Sequence, residues 1–219
     1  MKFSKDAIRR AMRLYAVTDR AWLREGETLA GVCEKALANG ATFLQLREKE
    51  LDPAAVTEEA GALQALCASY GVPFVVNDSV EIALAAGADG VHVGQSDIRG
   101  RDIRAIIGPD RILGITAGTV AEALAAERSG ADYIGVGAVF PTGTKKDARP
   151  MPMSLLRDIC AATRIPVVAI GGINRSNILS LSGSGVDGVA VVSAIFAADD
   201  PGAAAAELAA LAGEAVGRG

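Results

Sequence analysis

Short apolar runs rich in β-branched residues alternate along this chain with longer, Ala-rich stretches of helical period. Eight of the runs read as strands: Leu14–Val17, Phe43–Arg47, Phe74–Asn77, Gly90–Val93, Ile112–Thr116, Tyr133–Val136, Val167–Ile170 and Gly188–Val192. Thr28–Ala38, Pro53–Ser69, Val120–Ser129 and Asn174–Leu181 read as helices between them. Strand–helix alternation at this spacing predicts parallel pairing. A weak repeat supports the regularity, because Gly87-Ala88-Asp89, Gly130-Ala131-Asp132 and Gly185-Val186-Asp187 each lead into a strand. The Gly ends the preceding helix and the Asp bonds nearby amides, so these aspartates read as structural. Eight such units favour a closed (β/α)8 barrel, the TIM-barrel architecture, over an open doubly wound sheet. It would form a single domain over residues 1–219, with a short helical extension at 1–13. Such a barrel carries its chemistry at the C-terminal ends of its strands.

The second strand departs from the apolar pattern. Gln45, Arg47 and Lys49 alternate with Leu44, Leu46 and Glu48. Strand alternation then predicts one face with an amide and two cations, and an opposite face with Leu44 and Leu46 packed against helices. Buried charge needs a partner, so either acidic residues or an anionic ligand meets this row.

Other polar residues gather at the same end. Asn77 and Asp78 follow the third strand and Asp97 follows the fourth. Neighbouring strands lie ~4.8 Å apart, so the two carboxylates can converge. Alone, each reads as a helix cap, Asp78 before Ser79-Val80-Glu81 and Asp97 before Ile98. Together beside a basic row they read better as ligands for Mg²⁺, which keeps waters and accepts phosphate oxygens. After the sixth strand, Pro141-Thr142-Gly143-Thr144-Lys145-Lys146 reads either as a loop that wraps a phosphoryl group or as an exposed basic loop, with Asp147 reducing its positive charge. Gly171-Gly172 after the seventh strand and Val192-Ser193 after the eighth occupy the usual phosphate cradle of these barrels, where backbone amides approach an anion. Two phosphate sites are thus expected, one metal-bound near strands two to four and one metal-free at strands seven and eight. Thr116 either offers its hydroxyl to the mouth or ends its strand in solvent. His92, the sole histidine, reads as a hydrogen-bonded barrel residue rather than a metal ligand. With one imidazole, no Ser-His-Asp or Cys-His arrangement is visible, and the glycine-rich segments form neither a Walker loop nor a dinucleotide fingerprint.

Composition narrows the classes. Half of the 219 residues are hydrophobic, enough to form a core without disulfides. A net charge of −4 speaks against a nucleic-acid or membrane partner. Cys33, Cys67 and Cys160 lack metal-like spacing and fall in helical stretches, so they read as buried thiols. The basic N-terminus lacks a signal-peptide apolar core, and a cytoplasmic protein is expected. Assembly into a homo-oligomer stays open.

The motifs Gln45-Leu46-Arg47-Glu48-Lys49, Val76-Asn77-Asp78, His92-Val93-Gly94-Gln95-Ser96-Asp97, Pro141-Thr142-Gly143-Thr144-Lys145-Lys146 and Gly171-Gly172-Ile173, in this order, make the chain resemble the thiamine-phosphate synthase family from about Leu14 to Phe196. The resemblance implies a Mg²⁺-dependent transferase. It would couple 4-amino-2-methyl-5-(diphosphooxymethyl)pyrimidine with a thiazole phosphate, or its carboxylated form, to give thiamine phosphate and diphosphate. It implies that Asp78 and Asp97 hold Mg²⁺. Gln45, Leu46, Arg47, Glu48, Lys49, Asn77, Thr116 and Lys145 would bind the pyrimidine diphosphate, with Arg47, Lys49, Thr116 and Lys145 catalytic. Thr142, Gly143, Thr144, Gly172, Val192 and Ser193 would bind the thiazole phosphate. The implied reaction is dissociative, with diphosphate leaving before the thiazole nitrogen attacks. Two positions depart from the family: Thr116 stands where Ser is usual, and Gly118 where many relatives have His. A related thiazole tautomerase shares the barrel but would not need the metal and cation set. A silent phosphate-binding barrel should have lost part of that set.

Overall fold

The computed structural model describes residues 3–143 and 149–216. Eight parallel strands close into a barrel in sequence order: β1 (Leu14–Val17), β2 (Phe43–Leu46), β3 (Phe74–Asn77), β4 (Gly90–Val93), β5 (Ile112–Thr116), β6 (Tyr133–Val136), β7 (Val167–Ile170) and β8 (Gly188–Val191), which returns to β1. The expected TIM barrel is therefore the observed fold.

Alternation sorts each strand into an outer and an inner set. Leu14, Leu44, Leu46, Phe74, Val76, Val91, Val93, Leu113 and Ile115 belong to the layer between barrel and helices. Tyr15, Val17, Phe43, Val75, Ile112, Tyr133, Val168 and Ala190 form a separate cluster inside the barrel. Ile8 and Met12 join that inner cluster, both fully buried. They flank the C-terminal half of α1 (Lys5–Ala11), so the N-terminal extension plugs the bottom of the barrel.

The helices have local reasons to begin where they do. Thr28 caps α2 (Leu29–Ala38) by accepting from the Gly31 amide. Asp52 caps α3 (Pro53–Tyr70), with Pro at its first position and left-handed Gly71 after its last. Further helices are α4 (Val80–Ala85), α5 (Ile103–Ile107), α6 (Val120–Arg128), α7 (Met153–Ala162), α8 (Ser193–Phe196) and α9 (Pro201–Ala215). The helix expected over Asn174–Leu181 is only a 3₁₀ turn at Ile178–Leu181. Asn174 spends its side chain on local loop bonds, accepting from the Ser176 amide and donating to the Gly172 carbonyl. Cys33, Cys67 and Cys160 are buried on α2, α3 and α7, none of them in a disulfide among the described residues. No helix among the described residues is long and apolar enough to cross a membrane.

The repeated aspartates are structural, as expected. Asp89, Asp132 and Asp187 accept from the amides of Phe74, Leu113 and Val167, tying each turn to a neighbouring strand. Asp132 also receives Arg104 at 2.7 Å, and Asp187 receives Arg9 from α1. Asp132→Ala leaves a strand amide and a guanidinium without this acceptor far from the strand C-termini. It is expected to lower the unfolding free energy by about 2 kcal/mol in urea titrations.

Candidate active site

The strand row anticipated over residues 45 to 49 is split by the structure. Pairing in β2 stops at Leu46, so Gln45 alone of the three lies in the barrel, while Arg47 and Lys49 lie in the following loop. The reason is local competition for backbone groups. The Thr18 hydroxyl accepts from the Arg47 amide at 2.9 Å, and the Glu48 carboxylate accepts from the amides of Lys49 (2.7 Å) and Glu50 (2.8 Å). These bonds turn the chain out of the sheet.

Glu48 is therefore a loop organiser rather than a free carboxylate. Its second oxygen receives Arg20 Nε at 2.8 Å, and Arg20 also reaches Glu59 on α3 at 2.6 Å. Burial alone would raise the Glu48 carboxyl, but the Arg20 bond and the two amides outweigh it and hold it below the usual carboxylate range. Leu46 points into the outer layer, which leaves only its backbone to face the mouth. Sequence reasoning missed Thr18 and Arg20. Each lies nearly thirty residues from its β2-loop partner, and no local pattern signals the pairing.

Asp78 and Asp97 do converge. Neither is the helix cap that each resembles in isolation. Ser79 caps α4, and Asp97 instead closes a turn by accepting from the Gly94 amide at 2.8 Å. Asp78 sits at the end of β3 with φ 63°, a left-handed conformation that is strained for a non-glycine residue. Its amide donates to the His92 carbonyl at 2.8 Å, which fixes it against β4. Burial raises the Asp78 carboxyl, and the adjacent Asp97 charge raises it further, while Lys49 and Asn77 oppose both. Lys49 Nζ lies 3.8 Å from Asp78 Oδ2. The rim thus holds two close carboxylates with one ammonium beside them.

Inside the mouth, polar side chains from five strands form one hydrogen-bonded row. Gln45 Nε2 donates to Tyr15 Oη at 2.6 Å, and Tyr15 Oη lies 2.7 Å from Tyr133 Oη. Tyr133 Oη is 2.9 Å from His92 Nδ1, and His92 Nε2 is 3.0 Å from Thr116 Oγ1. His92 is the hydrogen-bonded barrel histidine anticipated, and Thr116 faces the mouth rather than ending its strand in solvent. Burial lowers the His92 pKa to about 4, against a smaller opposing pull from Asp97. Tyr15 and Tyr133 were not singled out from sequence, since inward-facing aromatics on β1 and β6 read as core.

The loops after β6 and β7 are stitched together. Val139 and Phe140 amides donate to the Ile170 and Gly171 carbonyls, each at 3.0 Å. Gly171 and Gly172 adopt φ 101° and 67°, and a Cβ at Gly172 would meet the Pro141 carbonyl oxygen at 2.3 Å. Phe140 and Pro141, which Thr142 and Gly143 follow in the chain, thus pack against the Gly171-Gly172 turn. Asn174 and Asn177 both donate to the Gly172 carbonyl, at 3.1 and 2.9 Å. Val192 precedes α8, which begins at Ser193 at the end of the adjacent strand. Thr144 and Lys145, with Lys146 and Asp147, lie outside the described residues. A separate cavity of about 570 Å³ opens beside α5 and α6, lined by Arg101, Arg104, Arg128, Leu113 and Ile115, on the helix side of the wall.

Residues 14–195 match the family model described as thiamine monophosphate synthase. The chain is 46% identical over 195 residues to a thiamine-phosphate synthase of Clostridium tetani, covering 89% of this chain and 93% of that one. It is 48% identical over 195 residues to the Clostridium beijerinckii protein of the same name, at the same coverage. Among solved structures, a thiamine phosphate pyrophosphorylase from Pyrococcus furiosus superposes with a TM-score of 0.87 at 40% identity, covering 96% of this chain and all of that one.

The neutral state of His92 has a measurable consequence. An unfolded chain takes up this proton near pH 6.5, whereas the folded chain resists it until about pH 4. Its contribution to stability is therefore complete above pH 6.5 and is lost as pH falls toward 4. Urea unfolding should show a loss of about 2 kcal/mol between pH 6.5 and 5, and the loss should vanish in His92→Gln.

Proposed function

Because the chain belongs to the thiamine monophosphate synthase family of transferases, we propose that it joins a 4-amino-2-methyl-5-(diphosphooxymethyl)pyrimidine to a thiazole phosphate, giving thiamine phosphate and diphosphate. The observation that carries this reading is the convergence of Asp78, Asp97 and Lys49 on the rim that also holds Gln45 and Thr116.

The rim suits Mg²⁺. Its donors are hard carboxylate oxygens, burial first and the Asp97 charge second raise the Asp78 carboxyl, and two carboxylates leave room for waters and phosphate oxygens. Among the described residues no group of three or more His, Cys, Asp or Glu gathers for a metal. Mg²⁺ held by Asp78 and Asp97 would neutralise charge that builds on the departing diphosphate.

Arg47 and Lys49, with Lys145 from the loop after β6, stabilise the same charge as the C–O bond breaks and its electron pair moves to the diphosphate oxygen. Gln45, Asn77 and Thr116 hold the pyrimidine, whose methylene carbon becomes cationic. Thr142, Gly143, Thr144, Gly172, Val192 and Ser193 hold the thiazole phosphate so that its ring nitrogen donates a lone pair and forms the C–N bond. This reaction needs no covalent nucleophile from the protein. The partners in this reading are phosphorylated small molecules in the cytoplasm. Neither nucleic acid nor membrane takes part.

Purified protein mixed with both substrates and Mg²⁺ is expected to release thiamine phosphate and diphosphate in equal amounts. EDTA should stop the reaction and Asp97→Ala should slow it by about 100-fold or more. Absence of product while thiazole phosphate still binds would overturn the coupling reaction in favour of an isomerase or a silent phosphate binder. Glu48→Gln removes the charge that holds Arg20 and loosens the loop bearing Arg47 and Lys49. It should raise the KM for the pyrimidine diphosphate by about fivefold and leave that for thiazole phosphate unchanged.

A further inference from the structure

The row Gln45–Tyr15–Tyr133–His92–Thr116 takes a direction once each buried tyrosine hydroxyl must pair its own hydrogen within it. The Gln45 amide nitrogen can only donate, so Tyr15 Oη accepts at that end. The Tyr15 hydroxyl hydrogen is then directed to Tyr133 Oη at 2.7 Å. Tyr133 Oη, having accepted, donates its own hydrogen to His92 Nδ1 at 2.9 Å. A neutral imidazole with an accepting Nδ1 carries its proton on Nε2, which donates to Thr116 Oγ1 at 3.0 Å. Thr116 has then accepted within the row, and its own O–H is directed onward into the mouth.

The barrel wall is shaped to admit this row. A Cβ on Gly114 would fall 2.3 Å from Tyr133 Oη and 2.5 Å from His92 Nδ1, and one on Gly135 would fall 3.1 Å from His92 Cε1. Glycine on β5 and β6 therefore leaves the space in which the Tyr133–His92 bond forms. Burial also keeps both tyrosines protonated, each hydroxyl held above its ordinary pKa, so each retains the hydrogen that the row requires.

We infer that Tyr15, Tyr133 and His92 are positioning residues that lock Gln45 as an acceptor and Thr116 as a donor toward the ligand. The inference rests on the pyrimidine assignment above and deepens it. With its nitrogen committed to Tyr15, Gln45 offers the mouth its amide oxygen, while Thr116 offers an O–H. An aminopyrimidine presents the complementary pair, an exocyclic amine that donates and a ring nitrogen that accepts. A hydroxypyrimidine in its oxo tautomer presents a carbonyl acceptor in place of that amine and is rejected because that acceptor would then face the Gln45 oxygen. Thr116 keeps this function although serine is usual in the family, because the row uses its hydroxyl and not its methyl.

The single histidine makes the direction directly readable. In ¹⁵N-labelled protein without substrates, long-range ¹H–¹⁵N correlation should show the His92 proton on Nε2, with Nδ1 unprotonated. A proton on Nδ1 would reverse the row and overturn the inference, whatever the activity. Tyr133→Phe removes the donor to Nδ1 and should populate the Nδ1–H form. The same variant should raise the KM for the pyrimidine diphosphate by about fivefold and leave that for thiazole phosphate unchanged. If Tyr133→Phe shifts the tautomer but moves neither KM, or raises both equally, the row does not position the pyrimidine. The wild-type spectrum decides the direction even if that variant folds poorly. It also separates failure of this inference from failure of the coupling reaction, because it needs no turnover.

Discussion

Eight strands of four or five residues in a closed parallel barrel leave each strand few inward positions, and this constraint governs everything else in the molecule. The lower positions must be apolar or space-filling, since α1 closes the bottom with Ile8 and Met12. The upper positions face the mouth, and there Gln45, Asn77, His92 and Thr116 replace the aliphatic residues that packing alone would select. Tyr15 and Tyr133 bridge the two levels. Their rings pack against Phe43 at 4.4 and 5.6 Å in the inner core, while their hydroxyls join the polar row above. An aromatic body with a polar tip lets one side chain belong to both levels.

The strand-to-loop transitions supply what the inward positions cannot. A cation inside the barrel would face a desolvation cost that few partners could offset. Ending β2 at Leu46 moves Arg47 and Lys49 onto the rim, where water and an anionic ligand can both reach them. Thr18 and Glu48 satisfy the backbone amides released by that early ending, and Arg20 secures Glu48 from the loop after β1. The left-handed backbone at Asp78 has a comparable effect, because it places a carboxylate just beyond β3 beside Asp97.

Most of the barrel was legible because alternation within strands and glycine-aspartate turns between them are local signals. Six of the eight strands have the bounds read from sequence. β2 and β8 each end one residue earlier, where side-chain and loop bonds compete with pairing. The 3₁₀ turn at Ile178–Leu181 escaped for a related reason, since Asn174 bonds within its loop instead of opening a helix. Polar residues at strand ends were visible as departures from an apolar pattern. Tyr15 and Tyr133 were not, because a buried tyrosine satisfies the same pattern as a phenylalanine until its hydroxyl partner is known. Arg20 was hidden by distance, as its value to the site depends on Glu48 and Glu59 from other elements.

In the proposed reaction the two ends of the mouth would bind anions differently, and the overall charge explains why both means would be needed. A chain with net charge −4 gives no general attraction for phosphates, so each phosphate needs its own local field. Near β2 to β4 that field would come from Arg47, Lys49 and a carboxylate pair suited to a metal, a set placed to offset charge that moves to a leaving group. Near β7 and β8 the Gly171-Gly172 turn, held by Asn174, Asn177 and the β6 loop, and the start of α8 would offer backbone groups instead. Backbone dipoles suit a phosphate that anchors a substrate without reacting. In the proposed reaction, a charge-rich rim for the bond that breaks and a neutral cradle for the group that stays would follow from the same barrel, through the loops that leave each strand.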